Sequence, residues 1–334
     1  FRCSQKSRNR PRVAKTPLTH HHRFINTQAD SIMALPFSGT LLFCPNGLRE
    51  DETKLHKLKI REDALFLACS KFNPATTESG DLFWVPWRVV HSVAADSDRP
   101  IFLGLAPDGS PRFAIDIGDS LEAWSNFTPN GFQNIRSTAA HLADNRTAIV
   151  AQAHSILKWI AHHHFCSRCG SNNAVCLGGY RLDCTNPACG ALTFPSIDPV
   201  VIIMVTSRDN EECLLGRSHD YPDKIISPLA GFMEPGESIE DTINREIREE
   251  VGLTCTDIRF WGNQPWPFPS NLMLGCFATV EKDQLTINED ELVFADWFTR
   301  KQLEEIFRNP SGDRIFPQSI SIAHHMMKAW LKDV

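Results

Sequence analysis

Apolar positions along the chain fall into three rhythms, and each predicts a different element. From about residue 36 to 130 the runs are short and strand-sized (GTLLFC, ALFLAC, PIFLGL, RFAID), broken by Pro, Gly, Asp and Ser. That punctuation predicts a small, mostly β domain over 36–132. Over 133–165 the spacing widens to threes and fours. Ala139, Leu142, Ile149, Ala153, Ile156, Leu157 and Ile160 define one apolar face, so a helical connector is predicted there. Beyond 196 strand and helix patterns alternate. Strands are predicted at 199–207, 212–218, 223–232 and 272–280, with helices at 238–252, 300–307 and 318–331. Strand, strand, helix, strand, helix is the order of an α/β sandwich.

The strongest apolar run, VVIIMV at 200–205, is strand-sized and far short of the roughly 18–20 residues a membrane helix needs. A length of 334 residues allows two or three domains, and 42% hydrophobic with 22% charged residues is ordinary for a globular chain. The net charge of −6 supplies no global attraction to a polyanion. Residues 1–35 break the pattern. Arg2, Lys6, Arg8, Arg10, Arg12, Lys15 and Arg23 come with no acid before Asp30. A basic, acid-free segment of this kind reads as a disordered tail or a transit peptide, and a mitochondrial address is the expectation, with plastid or cytoplasm as alternatives.

Chemistry enters with the helix predicted at 238–252. Ser238 can cap its first turn, with Asp241 completing a capping box, and Gly252 follows the last apolar position. Ile239, Ile243, Ile247 and Val251 make one stripe, while Glu246, Glu249 and Glu250 project from a common face. Carboxylates that close repel one another unless a cation sits among them. An all-oxygen set suits Mg²⁺ or Mn²⁺ rather than zinc, and such ions bind phosphates and polarise phosphorus. A Glu-rich helix on its own is more often a solvated face.

Eleven cysteines is an odd number, and four of them are paired by spacing: Cys166 with Cys169, and Cys184 with Cys189. Two such knuckles predict a tetrahedral Zn²⁺ ribbon over 166–195, structural because four thiolates leave no open position. Residues 264–269, QPWPFP, form a stiff loop of alternating prolines and aromatics. Trp266 and Phe268 either offer faces for stacking a base or nicotinamide, or pack inward.

The string GFMEPGESIEDTINREIREEVGL at 231–253 fills every fixed position of G-x5-E-x7-R-E-U-x-E-E-x-G-U. By this the chain resembles the Nudix hydrolases, whose fold is an α/β/α sandwich, here expected over 196–334. The order ribbon, box, QPWPFP is similar to their NADH pyrophosphatase subfamily, closely over 150–334 and weakly over 36–130. The resemblance implies Glu246, Glu249 and Glu250 as ligands of a catalytic Mg²⁺ or Mn²⁺, with one of the last two as general base. It implies Glu237 and Arg245 as a pair fixing the loop to the helix. The Ala230 carbonyl and Glu291 become further metal ligands. Gln264, Pro265, Trp266, Pro267, Phe268, Pro269, Ser270 and Asn271, with Phe194, Phe232 and Ala323, become the substrate residues. The implied reaction is hydrolysis of NADH, with NAD⁺ and NADPH as further substrates, to nicotinamide mononucleotide and AMP. Removal of NAD caps from RNA by the same site is the alternative, and a homodimer without membrane attachment is the expected state. Asn263 and Asn271 replace serines of the subfamily signature, and Phe194 and Ser196 replace a Tyr and an Arg. These departures bear on substrate preference more than on catalysis.

Overall fold

The structure, a computed structural model, describes residues 35–39, 42–93, 99–128, 130–142, 146–310 and 312–332. The basic segment and its proposed address, apart from Leu35, lie outside them.

The first domain holds β1 (Leu65–Ser70), β2 (Asn73–Pro74), β3 (Trp84–Pro86), β4 (Ile101–Leu105) and β5 (Pro111–Asp116), with helices α1 (Glu52–Lys59), α2 (Trp87–Val93), α3 (Leu121–Trp124), α4 (Ile135–His141) and α5 (Arg146–His162). The strand order is β2-β1-β5-β4, and β3 also pairs with β1. Both faces of this sheet are covered, which is why β1 reads as the unbroken run LFLAC rather than alternating with polar residues. Phe66 and Ala68 point to one side, among Val85, Val90, Phe113 and Trp124. Leu67 and Cys69 point to the other, where α5 lays down Ile149, Val150, Ala153, Ile156 and Leu157. The stretch expected to connect domains is therefore the helix that covers the first one.

A three-stranded ribbon follows, β6 (Asn173–Cys176), β7 (Arg181–Cys184) and β8 (Leu192–Thr193), in that spatial order. The last domain contains β9 (Asp198–Ser207), β10 (Glu212–Ser218), β11 (Leu229–Phe232), α6 (Ile239–Val251), β12 (Cys255–Trp266), β13 (Asn271–Val280), β14 (Leu292–Thr299), α7 (Arg300–Arg308) and α8 (Ile322–Lys332). Its sheet runs β12-β13-β9-β10-β14. The strand β9 is shared lengthwise: Val205 and Thr206 pair with β10, while Val200 to Ile203 pair with β11. Successive residues of β9 face opposite ways. Val201, Ile203 and Val205 meet Ile243, Ile247 and Val251 of α6. Ile202 and Met204 meet Ile322, Met326, Met327 and Trp330 of α8. Each fully buried aliphatic side chain here is worth about 1.5–3 kcal/mol. The predicted helix–sheet–helix sandwich is thus observed.

The two sheets repeat one plan. The order β4-β5-β1-β2 with β3 on β1 matches β12-β13-β9-β10 with β11 on β9. In each the central pair, β1 with β5 and β9 with β13, is parallel, and every other pairing is antiparallel. Helix α2 stands where α6 stands, and α5 where α8 stands. No helix among the described residues is long and apolar enough to cross a membrane.

Candidate active site and thiolate cluster

Helix α6 starts and stops where its sequence dictates. The Ser238 hydroxyl accepts from the Asp241 backbone N–H at 3.1 Å, and the Asp241 carboxylate accepts from the Ser238 N–H at 3.0 Å. Gly252 ends the helix with φ at 74°, a left-handed conformation that only glycine adopts without cost. The stripe of Ile243, Ile247 and Val251 is fully buried and presses α6 onto the sheet. This drags the neighbouring carboxylates inward.

Not all three go. Glu246 and Glu250 are 6% and 5% exposed, whereas the side chain of Glu249 is half exposed. Glu249 and Glu250 are consecutive and so splay about 100° apart around the helix. Glu250 turns toward the sheet and Glu249 toward solvent. The third carboxylate that joins Glu246 and Glu250 is Glu291, and oxygens of these three lie within 4.8 Å of one another. Glu291 is delivered by the segment before β14, which is tied to the end of α6. Thr286 and Asn288 donate backbone N–H groups to the carbonyls of Val251 and Glu250, which the last helical turn leaves open. The Asn288 amide also donates to Glu291 at 3.1 Å.

Arg245 organises the rest. Its guanidinium donates to both oxygens of Glu237 at 2.7 and 2.9 Å, to Glu246 at 2.7 Å, to Glu249 at 3.2 Å and to the Phe232 carbonyl at 2.9 Å. Arg245 hydrogen bonds hold the Glu237 carboxyl down at about 2. The loop before the helix is thereby locked to it. Close approach needs Gly231, because a Cβ there would sit 1.9 Å from the carboxyl carbon of Glu246. Ala230 precedes it on β11, opposite Ile202.

Burial, then the charges of Glu246, Glu291 and Glu249, push the Glu250 carboxyl up to about 8. One buried oxygen of Glu250 has no hydrogen-bond partner. A close carboxylate set with an orphaned inward oxygen fits a hard divalent cation, which satisfies the oxygen and relieves the repulsion. The thiols of Cys166, Cys169, Cys184 and Cys189 also converge within 4.8 Å. Sulfurs of Cys169 and Cys184 stand 3.4 Å apart, those of Cys166 and Cys189 3.9 Å. Four thiolates bound about 2.3 Å from one zinc stand roughly 3.8 Å from each other, so this donor set fits that ion. Hydrogen bonds from Ser171 lower the Cys169 thiol to about 6, whereas burial pushes the Cys184 thiol up to about 12.

The substrate residues expected from sequence are dispersed. Gln264 is fully buried. Its amide donates to the carbonyls of Pro36 and Ile320 at 2.9 and 2.8 Å and accepts from the Ile322 N–H at 2.7 Å. It fastens three segments together and has no amide hydrogen left for a ligand. Ala323 is 1% exposed within the core beneath α8. Both depart from the expectation of pocket residues, because each lies on the side of its element that faces the protein. Trp266 and Phe268 pack edge-on against Phe37 of the first domain at 5.7 and 5.8 Å between centroids. Pro265 is half-buried, Pro267 is buried and Pro269 exposed. The Ser270 hydroxyl donates to the Ser196 carbonyl at 3.2 Å, joining the loop to the segment that displays Phe194. Asn271 begins β13 and keeps one buried side-chain oxygen without a partner. Phe194 and Phe232 are 55% and 58% exposed. Phe232 lies beside the acidic helix, its carbonyl accepting from Arg245, and Tyr221 is also exposed at 44%. Sequence reasoning missed Tyr221 and Arg136, which also come to this end of the sheet, since neither lies in a spaced motif.

Two family models match the chain: a NUDIX domain over 197–318, and an NADH pyrophosphatase-like rudimentary NUDIX domain over 36–159. The chain belongs to the Nudix hydrolases, in the NADH pyrophosphatase group where a rudimentary Nudix domain precedes the complete one. The human NAD(P)H pyrophosphatase NUDT13, mitochondrial, is 32% identical over 270 residues, covering 73% of this chain and 76% of that protein. The NAD-capped RNA hydrolase NudC of Mycobacterium bovis is 34% identical over 257 residues, covering 73% and 80%. The human NAD-capped RNA hydrolase NUDT12 is 37% identical over 198 residues, and there the match spans 57% of this chain but only 43% of the relative.

Proposed function

We propose that the chain hydrolyses the diphosphate of NADH, and of NAD⁺ and NADPH, to nicotinamide mononucleotide and AMP. The observation that carries this reading is the convergence of Glu246, Glu250 and Glu291 around an unpartnered buried oxygen of Glu250. Glu246, Glu250 and Glu291 would hold Mg²⁺ or Mn²⁺, joined by the Ala230 carbonyl. Bound there, the ion supplies charge neutralisation for the diphosphate and acidifies the attacking water. The rest falls to the chain. Arg245 keeps Glu246 aimed and fixes the loop through Glu237. Glu249, which pairs with Arg245 and is open to solvent, takes the proton from the attacking water. Phe194 and Phe232 stack the flat rings of the dinucleotide. Zn²⁺ on the four cysteines is structural.

Removal of NAD caps from RNA is the second reading, supported by relatives named as NAD-capped RNA hydrolases. The bond and the site are the same. A mitochondrial location is supported by the basic N-terminal segment and by the name of the human NUDT13 relative. A homodimer is the oligomeric state that the family resemblance implies. The enzymatic reading is tested by giving the protein, with Mn²⁺ or Mg²⁺, NADH, NAD⁺, NADPH, ADP-ribose and NAD-capped RNA and resolving the products. Turnover of at least one dinucleotide is expected. None with any of them sinks the reading, and preference for capped RNA promotes the second.

A further inference from the structure

Of the three carboxylates that converge, Glu246 and Glu250 ride on a packed helix, and Glu291 does not. Glu291 is exposed and ends the turn Asn288–Glu291. Its place in the cluster depends on how that turn is held, because a glutamate on a loose turn loses backbone as well as rotamer freedom when it binds an ion. Inside the turn the Glu291 N–H donates to the Asn288 carbonyl at 3.1 Å, and the Asp290 N–H donates to the Asn288 side-chain oxygen at 3.2 Å. One side is fastened to α6, where the Asn288 N–H donates to the Glu250 carbonyl at 2.9 Å. The middle peptide, between Glu289 and Asp290, takes no part in these bonds. The two common turn types differ by turning that peptide over, which resets the backbone of Asp290, the residue before Glu291.

His219 holds that peptide. Its Nε2 lies 2.9 Å from the Glu289 carbonyl oxygen. A carbonyl can only accept, so Nε2 carries the hydrogen. The fold brings the two together through β10 and β14, which pair from Glu212 with Thr299 to Ser218 with Leu292, the register slipping between Arg217 and Ser218. His219 and Glu291 are the next residues beyond that last rung. A turn closes on the histidine side as well, where the Tyr221 N–H donates to the Ser218 carbonyl at 3.1 Å. Two turns therefore face each other at the end of the ladder, and one imidazole links them.

We propose that His219 is a positioning residue for the divalent-cation site: by holding the Glu289 carbonyl it fixes the turn that presents Glu291. The proposal rests on the metal reading of the cluster given above. It adds a residue that lies in none of the spaced motifs and that acts through the turn rather than as a ligand.

Mn²⁺ binding to the full chain, without substrate, is followed by the electron paramagnetic resonance signal of the free ion in wild type, E250Q, H219A and H219Q. The binding that E250Q loses belongs to the cluster. H219A should weaken that binding about three- to tenfold, the range of a single hydrogen bond, with the melting curve of the metal-free protein unchanged. H219Q, whose side-chain amide donates from about the same reach as Nε2, should restore most of it. In turnover, the Mg²⁺ concentration for half-maximal rate should rise by the same factor in H219A, while kcat at saturating Mg²⁺ stays within about twofold of wild type. Unchanged Mn²⁺ affinity in H219A overturns the proposal. Equal loss in H219A and H219Q overturns it too, since the donor would then not be what matters. If E250Q binds Mn²⁺ as well as wild type does, the metal reading fails and this proposal with it; if only the H219A contrast is missing, the metal reading stands and this proposal alone falls.

Discussion

The two Nudix-type domains share their strand plan and differ in what the helix after the third strand carries. In the first, α2 reads WRVVHSV, with no acid, and its Val90 sinks into the core. In the second, α6 reads IEDTINREIREEV and buries two carboxylates beside its apolar stripe. The first helix gains stability from everything it buries. The second gives some back, because Glu250 is held against three other glutamates. The same scaffold tolerates buried carboxylates in the second domain where Arg245 pairs with Glu246 and Gly231 leaves room for it, while Glu291 adds to the repulsion on Glu250. The fold supplies the frame and the compensation supplies the chemistry.

The comparison is broken most directly by Glu250→Gln. Its kcat for dinucleotide hydrolysis should fall at least about a thousandfold, while at pH 8 and above the metal-free protein melts no lower than wild type, since a repelled buried charge has been removed. A lower melting temperature would show that the carboxylate supports the fold. Gly231→Ala comes next. The added Cβ must displace Glu246, so activity should drop about a hundredfold with circular dichroism unchanged, and full activity would refute the tight packing of loop on helix.

Gln264→Ala probes the join between the domains. It leaves two carbonyls and one N–H without partners and should cost about 2–4 kcal/mol in denaturant unfolding, separating the transitions of the two domains. Coincident transitions at wild-type midpoints would deny it that role. The smallest effect is one of pH. A carboxyl whose folded pKa lies near 8, above its unfolded value, contributes stability below pH 4 that is lost as pH rises toward 8. Metal-free protein should melt about 5 °C lower at pH 8 than at pH 5, with Mg²⁺ restoring more at the higher pH. A flat profile would place Glu250 in a far more polar setting.

Much of the second domain was readable in advance because its signals are local. The capping box at Ser238, the stop at Gly252 and the buried stripe of α6 are each written within one turn of the residues they govern. The cysteine spacing similarly announced a cluster. The strand β12 was not foreseen. It is an edge strand in which exposed and half-buried residues follow no period of two, so TDIRFWGNQPW lacks the alternation that a strand with one buried face shows. The strand predicted over 223–232 shrank to β11, Leu229–Phe232. The shared plan of the two sheets leaves no repeat in the sequence, because it resides in pairing partners rather than in residue identities. Glu249 and Glu250 looked equivalent on a helical wheel. Only the direction in which the stripe pulls α6 separates them.

Arg245 has one more consequence. A single guanidinium grips Glu237, Glu246, Glu249 and the Phe232 carbonyl, and so fixes the acidic helix against the loop before it. The loop before α6 and the helix are thus held together by the chain's own contacts. Under the proposed function, turnover would therefore follow the supply of divalent cation while the helix and its loop stay in place.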